Sequence, residues 1–277
     1  MNLQEVTKAY DFTDKTVAIT GGGGVLCGEM ARALAGCNAN VAILDLDVSL
    51  ANKVAKTFEP NRGKSMIQYT DVLNKPSIEK AAEEIVKAFR HIDCLINGAG
   101  GNNPKATTSA DQRFFDIPAE ALQFVSNLNL QGTILTSQVF GKYMAQQKEG
   151  VILNVSSMNA FRPLTRIPAY SAAKAAVSNF TQWLAVHLAQ EYSPNIRVNA
   201  IAPGFFLTEQ NRFLLTDKTT GELTARGKKI IEHTPMGRFG APEDLLGATL
   251  WLLSPASQFV TGIVVPIDGG FSAYSGV

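Results

Sequence analysis

The sequence predicts an α/β fold in which one doubly wound parallel sheet of about seven strands carries helices on both faces. Three observations predict it. Short β-rich runs alternate with helix-length stretches along the whole chain, the order that right-handed βαβ crossovers produce. Several of those runs are apolar at nearly every position, as strands covered on both faces are. No repeat, low-complexity tract or linker divides the chain, so residues 1–277 are expected to form one domain.

In chain order the strand candidates are TVAIT at 16–20, NVAIL at 40–44, SMIQY at 65–69, DCLIN at 93–97, GVILNVS at 150–156, IRVNAIA at 196–202 and GIVVPI at 262–267. Apolar side chains predominate in each. Helices are expected at 28–34, 75–89, 119–146, 169–191 and 242–253. Two irregular segments stand out, 98–118 after the fourth strand and 204–233 after the sixth. The carboxyl ends of strands in an open α/β sheet border the ligand crevice. Long insertions there are expected to cover a substrate.

Composition narrows the class. Apolar residues make up 45% and charged residues 18% of the 277, which carries no signature of disorder. A net charge of +1 with both signs interspersed argues against nucleic acid and anionic membrane as partners. Cys27, Cys37 and Cys94 are odd in number and lack metal-ligand spacing, so reduced thiols in the cytoplasm and no metal site are expected. The polar, mixed-charge start at 1–12 does not resemble a signal peptide. No apolar run approaches the roughly 20 residues that span a bilayer.

The stretch TGGGGVLCG at 20–28 follows the first strand and precedes a helical pattern. In that context a glycine loop cradles a pyrophosphate with backbone N–H groups and the positive end of the helix dipole. Gly21, Gly24, Val25 and Leu26 are the candidate contacts. Asp45 closes the second strand 17 residues beyond Gly28, near where a carboxylate binds the adenine ribose in such folds. It would repel the extra phosphate of NADP, and the loop holds no Arg or Lys to counter it. NAD is therefore expected over NADP.

Further along, YSAAK places Tyr170 and Lys174 at i and i+4, on one face of a helix. An unperturbed tyrosine has a pKa of about 10. A neighbouring ammonium favours the phenolate and is expected to lower it. Ser157 stands thirteen residues before the tyrosine, at the end of an apolar strand. Its hydroxyl is placed to hydrogen-bond a substrate oxygen.

Together these motifs resemble the short-chain dehydrogenase/reductase family, in its single-domain Rossmann-like form, from KTVAITGGGG to VVPIDGGFS. The resemblance implies that Tyr170 is the general acid/base. By the same resemblance Lys174 binds the nicotinamide ribose and lowers the tyrosine pKa, and Ser157 orients the substrate carbonyl or alcohol. Asn129 in NLNLQGT matches the asparagine of a water-linked proton relay, with Asn127 the weaker match. Asp71 and Val72 in YTDV resemble the adenine contact. Asn97, Ala99 and Gly100 match the turn beside the adenine ribose. NAIAPGFFLT matches the segment flanking the nicotinamide, with Ile201, Pro203 and Gly204 beside it and Thr208 on its carboxamide. The glycine loop departs from the family pattern, which would put Val25 and Cys27 on its last two glycines. A shifted frame with Gly24 and Gly28 as the flexible positions is expected, with Cys27 a packing residue.

SSMNAFRPLTRIPAYSAAK and PGFFLTEQNRFLL resemble a narrower group predicted to interconvert D-mannonate and D-fructuronate. Arg162 and Arg166 lie between Ser157 and Tyr170, where a guanidinium can hold a sugar-acid carboxylate in a fork. Asn102, Asn103 and Lys105, with Glu209, Gln210, Asn211 and Arg212, are the further polar candidates. Alternatives are a gluconate 5-dehydrogenase-like or other polyol dehydrogenase and, from a different class, an NAD(H)-binding sensor without turnover. The resemblance also implies a homotetramer with the helix of Tyr170 and Lys174 at a subunit interface. His91, His187 and His233 have no motif around them.

Overall fold

The computed structural model describes residues 2–60, 63–208, 212–217 and 219–276. Seven parallel strands form one sheet: β1 (Thr16–Thr20), β2 (Asn40–Asp45), β3 (Ser65–Tyr69), β4 (Cys94–Asn97), β5 (Gly150–Val155), β6 (Ile196–Pro203) and β7 (Val264–Ile267). Their order is β3-β2-β1-β4-β5-β6-β7. The order reverses between β1 and β4, where Thr20 sits opposite Asn97. A reversal of this kind opens a crevice beyond the strand ends.

The helices are α1 (Leu3–Ala9), α2 (Val25–Gly36), α3 (Val48–Ala55), α4 (Lys75–Phe89), α5 (Ala119–Ser126), α6 (Gly132–Gln147), α7 (Pro168–Glu191), α8 (Arg212–Leu215), α9 (Ala225–Glu232) and α10 (Leu246–Leu253). Alternate strand residues feed two cores. Val17, Ile19, Val41 and Ile43 pack with Met30 and Leu34 of α2 and Leu252 of α10. Ala18, Ala42 and Leu44 pack instead with Ile78 and Ile85 of α4, Phe140 and Met144 of α6, and Leu184 of α7. Burying strands on both faces is why their sequences are continuously apolar.

Three expectations need correction. The first helix starts at Val25, not at 28, because Gly24 is its N-cap and Gly28 lies inside it. The segment 119–146 is not one helix: a π-helical turn at Asn127–Gln131 separates α5 from α6. The Asn129 side chain donates to the Val125 carbonyl at 2.9 Å, a carbonyl the regular ladder would otherwise use. Alternation and apolar periodicity also left α1, α3, α8 and α9 unassigned. Short helices such as α3, capped by Asp47 through Ser49 N–H at 2.8 Å, are announced by their caps rather than by their periods.

Candidate active site

The site is built at the carboxyl ends of β1, β2, β4, β5 and β6. β1 runs into Gly21, whose φ of +63° is the left-handed turn of the loop. A Cβ there would lie 2.9 Å from the Ala99 backbone, so the glycine serves both conformation and close approach. Gly24 is extended, and Gly28 is a helical residue against Val54, so the expected flexible frame gives way to Gly21. The helix start of α2 has no side-chain cap and no acidic residue in its first turn. Its leading N–H groups are therefore free to meet an anion. Asp45 stands beside this loop, accepting from Gly23 N–H at 2.9 Å and from Asp47 N–H at 2.9 Å. Cys27 is buried beneath the turn that follows β4, and burial pushes its thiol up to about 12, which makes it inert packing.

After β4 the chain turns through 98–101. Gly98 and Ala99 N–H both donate to Thr20 Oγ1, at 3.1 and 3.2 Å. Asn129 clamps Gly101 from both sides, accepting from its N–H at 3.1 Å and donating to its carbonyl at 2.7 Å. Gly100 lies between Asn129 and Lys174: a Cβ there would be 2.7 Å from Asn129 Oδ1 and 3.3 Å from Lys174 Nζ. The glycine loop, the turn and the α7 lysine thus form one corner. Asn127 faces elsewhere, accepting from Gln123 on its own helix.

β5 delivers Ser157, the N-cap of a short 3-10 turn over Met158–Ala160. α7 delivers Tyr170 and Lys174 one turn apart, with Lys174 Nζ 5.6 Å from the tyrosine ring centroid. The Ser157 hydroxyl is close enough to the Tyr170 hydroxyl to favour its phenolate. Lys174 is buried, donates to the Val155 carbonyl at 2.7 Å, and is pushed down by burial to about 8. Burial pushes Tyr170 up, and the Ser157 hydroxyl pulls the other way. The expected lowering of the tyrosine by its neighbouring ammonium is therefore not met. Desolvation outweighs it, because the same burial that raises a phenol also makes the lysine a reluctant cation.

Two residues expected at the cofactor have their side chains in the interior. The Asn97 amide donates to Ser137 Oγ and Asn154 Oδ1, both at 2.9 Å, and accepts from Thr136 Oγ1 at 2.6 Å. Ile201 is fully buried in the core on the α2 face. Asp71 accepts from Leu73 N–H at 2.9 Å and so shapes the turn after β3, with Val72 buried beside Gly132. Pro203 ends β6, and Gly204 N–H donates to Ile267 O at 3.0 Å while its α-carbon packs on Asp268. Thr208 accepts from Arg212 N–H through its carbonyl at 2.9 Å.

A cleft of about 580 Å³ opens at the N-terminal end of α7, bounded by 164–167, Phe205 after β6, α9 and Phe271. Arg166 lines this cleft and Arg162 does not. Arg162 Nε donates to the Ser272 carbonyl at 3.2 Å, holding the C-terminal segment. Asn102 donates to Thr107 Oγ1 at 2.8 Å and Asn103 accepts from Lys105 N–H at 2.9 Å, so these residues organise their own loop. Glu209, Gln210 and Asn211 lie outside the described residues. Sequence reasoning missed Arg226 and Lys229, which also line the cleft. The signal was present: Arg226, Lys229, Ile230 and His233 follow helical spacing after Thr224, whose hydroxyl caps Gly227 N–H at 3.1 Å.

The structure thus sets a glycine turn against an uncapped helix start after β1, a carboxylate at the end of β2, and a group of Ser157, Tyr170 and Lys174 after β5 and on α7. A family profile described as enoyl-(acyl carrier protein) reductase matches residues 26–272. The chain belongs to the short-chain dehydrogenase/reductase family, whose enzymes act on alcohol groups with a nicotinamide dinucleotide. It is 50% identical over 279 residues to an uncharacterized oxidoreductase of Haemophilus influenzae, covering 97% of this chain and 96% of that one. It is 50% identical over 272 residues to the uncharacterized oxidoreductase UxuB of Bacillus subtilis, covering 95% and 96%. A provisionally assigned D-mannonate oxidoreductase from Haemophilus influenza, solved with NAD bound, superposes with a TM-score of 0.91 at 49% identity, covering 98% of this chain and 100% of that one. Among the described residues no helix is long and apolar enough to cross a membrane.

Proposed function

We propose that this chain interconverts the secondary alcohol of D-mannonate and the ketone of D-fructuronate with NAD(H). The observation that carries the reading is the group of Ser157 at the end of β5 with Tyr170 and Lys174 on α7, Lys174 lying beside the Gly100 turn. Arg166 lines the cleft just before that helix. The NAD-bound relative provisionally assigned to D-mannonate supports the same substrate class.

The uncapped start of α2 at Gly24, Val25 and Leu26, the Gly21 turn, and the turn through Ala99 and Gly100 would hold the dinucleotide. Asp45, Asp71 and Val72 would border its adenosine, and Pro203, Gly204 and Thr208 its nicotinamide. Asp45 favours NAD over NADP by charge. When bound, NAD(H) takes or supplies the hydride. Tyr170 gives its proton to the substrate oxygen in reduction and takes it back in oxidation. A phenol pushed up by burial is protonated at neutral pH and ready to donate. Ser157 hydrogen-bonds the same oxygen and so fixes it against Tyr170. Lys174 has donors left beyond its bond to Val155 to hold the ribose. Asn129 fixes the turn at Gly101 and supports the water-linked end of the relay.

The loops at 98–118 and 204–233 cover the substrate within a single domain. The exposed Trp183, Val186 and Tyr192 on α7 and its C-terminal end, beside an apolar groove, support a homotetramer joined through α6 and α7. Cysteines that form no disulfide among the described residues support a cytoplasmic enzyme.

The test is NADH oxidation with D-fructuronate, 5-ketogluconate and D-fructose in parallel. Turnover of D-fructuronate above both others is expected. Preference for 5-ketogluconate would move the enzyme to the gluconate 5-dehydrogenase-like class, and NADH binding without turnover would make it a sensor.

A further inference from the structure

The cleft at the N-terminal end of α7, the helix that carries Tyr170, has two unlike walls. One is aromatic: Phe205 and Phe271 meet edge to face with centroids 5.2 Å apart. The other is cationic. Arg226 and Lys229 of α9 and its C-cap His233 line the cleft with the buried Ile230 between them, while Gly227 packs on Leu215 away from it. Arg166 joins them from the segment before α7, its carbonyl accepting from Thr108 N–H at 2.9 Å. The described lining holds no carboxylate, and Arg166, Arg226 and Lys229 form no ion pair among the described residues. Three cations without an ion pair among the described residues, set around a concave, partly apolar space, favour an anionic ligand there.

We propose that Arg226 and Lys229 of α9, facing Arg166, bind the substrate carboxylate and make α9 the element that selects acids over neutral polyols. This rests on the sugar-acid reading above. Arg162 is not part of the clamp. Its bond to Ser272 holds the C-terminal segment so that Phe271 forms the opposite wall, where the C–H face of a sugar chain packs.

The experiment is calorimetric titration of D-mannonate and D-mannitol, which differ by a carboxylate in place of a CH2OH, into the enzyme saturated with NADH. The unmodified enzyme binds D-mannonate at least about tenfold more tightly than D-mannitol. Arg226→Gln and Lys229→Gln each weaken D-mannonate about tenfold while leaving D-mannitol and NADH binding unchanged, and Lys229→Arg restores it. Lys228→Gln makes the same charge change on α9 outside the cleft, and leaves binding intact. Equal binding of D-mannonate by the Arg226→Gln and Lys229→Gln enzymes overturns the proposal. So does an equal loss in Lys228→Gln, which would reduce the effect to net charge. Absence of NAD-linked oxidation of D-mannonate strikes the reaction assigned above, whereas these binding outcomes strike the site.

Discussion

Lys174 is held where its charge is costly. Burial takes its ammonium from the ordinary 10.5 down to about 8, which corresponds to about 3 kcal/mol at neutral pH. Between about pH 8 and 10.5 the unfolded chain holds a proton that the folded chain has lost. The penalty therefore shrinks as pH climbs through that window and is full below it. Lys174→Met is expected to raise Tm at pH 7 by a few degrees, less the lost bond to Val155, with the gain fading by pH 10, and to abolish turnover. Thermal melts across pH check the first part and a steady-state assay the second. Asp45→Asn keeps acceptors for Gly23 and Asp47 N–H but removes the charge. The NAD preference proposed above predicts that this change lowers the NADH-to-NADPH ratio of kcat/KM values by about tenfold or more. The identities of Ser157, Tyr170 and Lys174 were legible because their spacing is fixed by one strand end and one helix turn. Their titration was not legible, since burial is a property of the whole fold.

The elements that carry the site are joined through buried polar contacts as well as apolar ones. Asn97 at the end of β4 ties α6 through Thr136 and Ser137 and ties β5 through Asn154, which donates in turn to Thr181 of α7 at 2.9 Å. Asn97→Ala leaves several buried groups unsatisfied and is expected to cost about 3 kcal/mol, measured by denaturant unfolding. Gly21→Ala combines a positive φ with a Cβ against Ala99, and should cost more than about 1 kcal/mol in the same measurement. The inner strands β1, β2, β4, β5 and β6 were legible as apolar runs because both sheet faces are covered there, and the edge strands β3 and β7 were legible from their β-rich composition. The start of α2 was not, because four glycines in a row hide which one turns left-handed. Asn97 was expected beside the cofactor, and its place in the core was not legible: its side-chain partners come from 39 to 57 residues away in sequence.

At the scale of the whole molecule, the cleft gathers 164–167, Phe205, α9 and Phe271, segments separated by tens of residues and aligned only by the sheet. That separation is why Arg166 was visible beside the tyrosine motif while Arg226 and Lys229 were not. The α6/α7 face is equally a product of the fold, with Phe180, Trp183 and His187 stacked in series and Trp183 57% exposed. An exposed aromatic stack of this kind marks an association surface. The homotetramer proposed above predicts that Trp183→Glu runs as a smaller species than the unmodified protein in light scattering, with the monomer fold retained by circular dichroism. The most direct test of the whole reading is NADH oxidation with D-fructuronate by the unmodified enzyme and by Tyr170→Phe, with NADH binding measured for both. Turnover that disappears in Tyr170→Phe while NADH still binds is the predicted result. Turnover that survives the loss of the phenol, or none at all in an enzyme that binds NADH, would contradict it.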